Sequence, residues 1–252
     1  MSMLYLAMTA ASAGAFWWLH LRADRSAQQA AAQAFDEDAG IAVHVARHEA
    51  QTRRQEPSTV HVLYGLLQVE AVTAAIGDAG ADAAALEDEV LAALAAGGRG
   101  ELEALDWTLR RADHSARGAS RRIGCADLWA YLGDGRAAAV LTKAQVDRAA
   151  VLFRLAHGGG PPALPGSDRG TAIVELRDDP YTTKDFVVTA LREGLGLDAA
   201  EAERIMEAVH TSGHGTIGPM AMATARTAVI TMRDLAQRSQ FPLWVGVTAA
   251  SS

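Results

Sequence analysis

Residues 177–186 read RDDPYTTKDF and come directly after a short apolar run, TAIVEL (171–176). A chain turn explains Pro180 and one aspartate, but not two adjacent carboxylates, a threonine pair and an apolar helix after them. The run 171–176 has the composition of a strand. Thr182-x-x-Asp185 has the pattern of a capping box and opens a helix that ends near Gly194. Asp198-x-x-Glu201 repeats that signature before AERIMEAVH, and ATARTAVITMRDLAQRS supplies a third helix. LWVGV (243–247), placed after Pro242, reads as a closing strand. Strand–helix–helix–helix–strand over about 80 residues implies a small α/β sandwich.

The chemistry of this segment comes from helical spacing. Met206, Val209 and His210 share one face at i, i+3 and i+4. Packed beside Asp178 and Asp179, that face makes an apolar cavity with two carboxylates and an imidazole at its rim. Such a rim suits a small cation carried on an apolar body. A free peptide amino terminus is that object, with a pKa of about 7.7–8.0 and three N–H donors.

The segment VELRDDPYTTKDFVVTALREGLGLDAAEAERIMEAVHTSGHGTIG resembles the ClpS family, adaptors that hand N-degron proteins to a Clp unfoldase and protease; the similarity runs over 171–248. The resemblance implies that Asp179 and His210 hold the peptide amine, with Asp178 standing where the family usually has Asn. It implies that Thr182 contacts peptide backbone, and that Val187, Met206, Val209 and Leu243 wall the pocket for a bulky first side chain. Lys184 takes the place of a gatekeeping Met, which sets an ammonium over the pocket unless it snorkels outward or pairs with Asp178. On the third helix, Ala223 and Ala228 replace a Glu and a Lys that family members use to dock on the Clp N-terminal domain.

HGGGPPALPGSDRG (157–170) carries five glycines and three prolines in fourteen positions and reads as a linker. Ahead of it lies an internal repeat with a spacing of 65: Val60 with Cys125, Leu63 with Leu128, Tyr64 with Trp129, Leu67 with Leu132, Ile76 with Leu141, Ala81 with Val146, Asp82 with Asp147 and Ala85 with Ala150. Asp82 and Asp147 are placed as helix N-caps. The first unit, with EPSTVHVLYGLL and VTAAIGDAGADAAALEDEVLAAL, resembles one repeat of the Clp N-terminal domain, and the second matches more weakly. That resemblance implies a substrate- and adaptor-binding module without catalytic role, and an intramolecular contact with the ClpS-like part in place of the lost docking pair. Tethering makes a strong interface unnecessary. His44 and His48 lie at i, i+4, but no third ligand completes a metal site.

The organisation expected from these readings is α+β: residues 1–25 a transmembrane anchor, 26–34 a tether, 35–157 an all-α double repeat (35–98 and 101–157), 158–170 a linker, and 171–252 the adaptor domain. Met1 to Leu21 carries no charged side chain, and about 19 helical residues span roughly the ~30 Å hydrocarbon core. Tyr5 and Trp17-Trp18 flank the run, and Arg22 and Arg25 come after it, which places the body on the cytoplasmic face of the inner membrane as a single-pass protein. A cleaved leader or a packed helix are the alternatives, the latter leaving the chain cytoplasmic and soluble.

The 252 residues have a net charge of −7, half of them hydrophobic, which argues against nucleic-acid binding. The single cysteine, Cys125, excludes an internal disulfide. No Walker-A loop, CxxC or HExxH is present. Asp178, Asp179, His210 and His214 can be drawn as a metal or acid/base site, but nothing supplies a nucleophile. The expected function is therefore non-enzymatic and cofactor-free: an adaptor that delivers proteins with a bulky first residue to a Clp ATPase of ClpA or ClpC type. The alternative is a scaffold or regulator of a Clp complex with a degenerate pocket.

Overall fold

The computed structural model describes residues 34–98, 105–118, 120–133 and 135–250. The expected anchor and nearly all of the tether lie outside them. Among the described residues no single helix is long and apolar enough to cross a membrane. The chain divides into two compact units, one up to Asp147 and one from Arg148 onward.

The first unit is helical: α1 (Glu37–Arg53), α2 (Thr59–Leu66), α3 (Glu70–Asp78), α4 (Ala83–Ala96), α5 (Leu105–Gly118), α6 (Cys125–Ala130) and α7 (Arg136–Lys143). α8 (Arg148–His157) opens the second unit. α6, α7 and α8 begin 65 or 66 residues after α2, α3 and α4, close to the spacing of the repeat read from sequence. Asp36 caps α1 by accepting from the Ala39 amide, and Asp82 caps α4 by accepting from Ala84 and Ala85. The core is made of Leu63, Leu66, Ile76, Leu86, Leu94, Leu128, Trp129 and Leu132, all fully buried. α1 turns an alanine face to α2, and the two backbones come so close that a Cβ on Gly65 would sit 2.0 Å from the Ala42 carbonyl oxygen. Cys125 is buried, and burial pushes its thiol up, so it is inert at neutral pH.

The two repeats satisfy the same helix start with different groups. In α2 the Ser58 amide donates to His61 Nδ1 at 3.1 Å, and in α6 the Gly124 amide donates to Asp127 Oδ2 at 2.8 Å. Asp127 is fully buried and also takes both guanidinium nitrogens of Arg121. Because His61 accepts at Nδ1, its neutral ring carries the proton on Nε2, which is buried without a hydrogen-bond partner among the described residues. His44 and His48 stack, with ring centroids 6.5 Å apart, and no metal-binding group of three side chains occurs among the described residues.

The second unit folds around a three-stranded antiparallel sheet of order β2-β1-β3, with β1 Thr171–Arg177, β2 His214–Ala221 and β3 Trp244–Ala249. Between them run α9 (Lys184–Leu195), α10 (Ala199–Ser212) and α11 (Met222–Arg238). β1 is paired on both sides, and its inward residues Ala172, Val174 and Leu176 are buried against helical residues such as Leu191, Ile205, Val229 and Met232. β2 is a correction to the strand–helix–helix–helix–strand order expected from the sequence, which has no strand between the second and third helices. Two glycines and a proline mask the strand, and its exposed face removes the apolar alternation that would have revealed it. A second correction concerns the start of α9. Thr183, not Thr182, is its N-cap, accepting from the Phe186 amide at 3.3 Å.

Residues 158–170 are coil, as their glycines and prolines require, yet they lie along this unit. Arg233 Nη2 donates to the Pro162 carbonyl and to the Val245 carbonyl, each at 2.8 Å, and Arg226 pairs with Asp168. Leu164 packs against the core.

Burial lowers the pKa of His61 below its ordinary value of about 6.5. The unfolded chain therefore binds this proton first, and stability is lost as pH falls from about 6.5 toward the lower folded value. Thermal melts of the full chain at about pH 7.5 and about pH 5.5 should show a fall that His61→Gln reduces. An identical pH slope in the two proteins would refute this role.

Candidate functional site

The site grows from the carboxyl end of β1. There the Asp178 amide donates to the Gly213 carbonyl at 2.9 Å, which ties the strand end to the C-terminus of α10. That bond brings Asp178 beside His210, one turn back on α10, with Nδ1 to Oδ2 at 3.3 Å. Both side chains are partly exposed. Val209, the residue before, points inward. A Cβ on Gly215 of β2 would come 2.6 Å from Val209 Cγ2, so only glycine lets this wall stand where it does.

Asp179 behaves differently from its neighbour. It is 9 % exposed, and Oδ1 accepts from the amides of Tyr181 and Thr182, each at 2.8 Å, while Oδ2 accepts from the Thr182 hydroxyl at 2.8 Å. Three of the roughly four lone-pair positions of the carboxylate are thus used within the turn. Burial pushes this carboxyl up, opposed by the three hydrogen bonds and by the charge of His157. The resemblance assigns Asp179 and Thr182 to the ligand. In the structure the Thr182 hydroxyl donates to Asp179, both residues line the cavity, and Asp178 with His210 form the more exposed polar edge.

Lys184, at the start of α9, donates to Glu207 Oε2 on α10 at 3.1 Å. It is therefore not paired with Asp178. Val187, Met206, Val209 and Leu243 supply the apolar walls. All nine residues singled out from the sequence, Asp178, Asp179, Thr182, Lys184, Val187, Met206, Val209, His210 and Leu243, line one cavity of about 140 Å³. Leu176, Arg177 and Pro180 line it as well. Leu176 was recoverable as the last inward residue of an alternating strand; Arg177 carries no comparable signal. His214 lies on β2 and is not part of the lining, which separates it from Asp178, Asp179 and His210.

The family model described as "ATP-dependent Clp protease adaptor protein ClpS" matches residues 171–246. The Helicobacter pylori ATP-dependent Clp protease adapter protein ClpS is 36% identical over 72 residues, 29% of this chain and 79% of that protein. The chain belongs to the ClpS family. The Hydrogenovibrio crunogenus ClpS is 41% identical over 71 residues, covering 28% of this chain and 67% of its own length. The Desulfatibacillum aliphaticivorans ClpS is 40% identical over 70 residues, again 28% and 67%. ClpS membership thus rests on β1 through β3, the same span that builds the cavity.

The two aspartates predict opposite mutational behaviour. Asp179→Ala strands two backbone amides and should destabilise the second unit by about 1–3 kcal/mol. Asp178→Ala removes only a surface pair with His210 and should cost about 0–1 kcal/mol. Denaturant titration of both variants reads this directly, and equal losses would contradict the assignment of Asp179 to the turn.

Proposed function

We propose that this ClpS chain binds the free amino terminus of proteins that begin with a bulky hydrophobic residue and delivers them to the ATPase of a Clp protease. The observation that carries the reading is the pairing of Asp178 and His210 at the edge of an otherwise apolar cavity of about 140 Å³. A protonated amine carried on an apolar side chain satisfies both parts of that geometry. Asp178 and His210 face the amine, and Asp179 acts through the turn it holds. Val187, Met206, Val209 and Leu243 surround the first side chain.

Magnitudes suit transient capture. Burying a Leu or Phe side chain contributes about 1.5–3 kcal/mol, and each charge-assisted hydrogen bond to the amine about 1.5–3 kcal/mol. After ordering costs, these give a dissociation constant near micromolar, about −8 kcal/mol. Such an affinity allows release to the unfoldase.

The proposal extends to the rest of the chain. The uncharged run 1–21 is a single-pass anchor that holds the body at the cytoplasmic face of the inner membrane. The helical repeat is a Clp-N-like, non-catalytic module. The recurrence of three helix starts at spacings of 65 or 66 supports the repeat itself. A second reading, a scaffold with a degenerate pocket, is favoured by Lys184, which brings an ammonium to the cavity lining, and by Ala223 and Ala228 in place of the docking pair.

Fluorescence anisotropy of the full chain with peptides beginning with Leu, Phe, Tyr or Trp, each beside its N-acetylated twin, tests this. Acetylation removes the charge and two donors, so affinity should fall at least about tenfold, and Asp178→Ala should lower it in the free-amine series only. Equal affinity for the twins establishes the scaffold reading instead.

A further inference from the structure

Behind the Leu243 wall stands a residue that lies outside the span matched by the ClpS family. His157 closes α8, and its Nε2 meets the Pro242 carbonyl oxygen at 2.7 Å. A carbonyl only accepts, so Nε2 carries the proton and donates. Pro242 is followed at once by Leu243, which is 3 % exposed and lines the cavity. At the other end of α8, Arg148 Nε donates to Gln240 Oε1 at 3.3 Å. Between these two, Phe241 packs its ring 4.7 Å from that of Phe186 on α9. Residues 241–243 belong to no helix or strand, and the Gln240 and Phe241 amides close the end of α11 by donating to the Gln237 and Ala236 carbonyls. From α8 the segment is held at two points, the Pro242 carbonyl and the Gln240 side chain.

We infer that His157 is a positioning residue for the peptide cavity, latching the Gln240–Leu243 segment and so fixing the Leu243 wall against the helix that precedes the sheet. This rests on the peptide-binding reading of the cavity. The family match over 171–246 shows that a ClpS fold is built from that span. What α8 adds is therefore placement of the wall rather than the fold. The imidazole is itself placed by its neighbours. Phe153, one turn earlier on α8, holds its ring centroid 4.7 Å from that of His157 and limits how the ring swings. His157 also lies near enough to the buried Asp179 for its charged form to favour the ionised carboxylate, which is the form that accepts from Tyr181 and Thr182. One side chain thus holds the residue next to the Leu243 wall by a direct hydrogen bond.

The experiment compares the full chain with His157→Ala and His157→Gln. The Gln amide still donates to a carbonyl but carries no charge. Affinity for Leu- and Trp-initiated peptides should fall about two- to tenfold in the Ala variant, with a changed Trp-to-Leu ratio, and return toward the original in the Gln variant. Hydrogen exchange read over residues 240–245 should accelerate in the Ala variant and not in the Gln variant. Unchanged exchange there in the Ala variant, or acceleration that Gln does not reverse, overturns the latch. If the unsubstituted chain fails to discriminate free from acetylated peptides, the peptide reading falls, while the exchange measurement still decides the role of His157.

Discussion

The turn after β1 depends on one buried carboxylate. Asp179 is itself buried and accepts two backbone amides and a hydroxyl, which close the turn. The turn in turn sets where α9 begins, because Thr183 caps that helix immediately afterwards. It also sets where Asp178 stands, since the Asp178 amide is already committed to Gly213. A strand end, a helix start and a helix end therefore converge on a few consecutive residues. The cavity is the space their convergence leaves.

This arrangement separates two duties that adjacent aspartates share in sequence. Asp179 is buried and accepts within the turn, and Asp178 is partly exposed beside His210. The opposite placement would be unfavourable on both counts. An exposed turn acceptor competes with water, and a buried unpaired recognition charge carries a large desolvation cost. The Lys184–Glu207 pair obeys the same logic. Its two partners are well exposed, so its energy is small, but it gives the ammonium a defined place away from Asp178.

Most of this was legible in the sequence because it is written in short-range spacing. The i, i+3, i+4 set on α10 and the Asp pair after a strand pointed to the polar edge and the inner wall, and the family resemblance supplied Thr182, Lys184, Val187 and Leu243, but not Leu176, Arg177 or Pro180. The repeat was visible because apolar residues recur at a constant spacing of 65. Three features were not legible. β2 hides behind glycine and proline and exposes most of its side chains, so neither composition nor alternation marks it. The division of labour between Asp178 and Asp179 depends on which of two neighbouring carboxylates is buried, and spacing does not encode burial. His157 is linked to Pro242 across 85 residues of chain, a contact that no local pattern carries.

The two helix starts of the repeat differ in kind. One closes its first turn with a neutral imidazole and the other with a carboxylate gripped by Arg121. The halves consequently answer to different solution variables, proton activity for the first and the integrity of an ion pair for the second. A chimaera carrying two copies of one half would keep the helix count and lose that difference. Repetition of the fold has been kept while the chemistry that secures each copy has diverged.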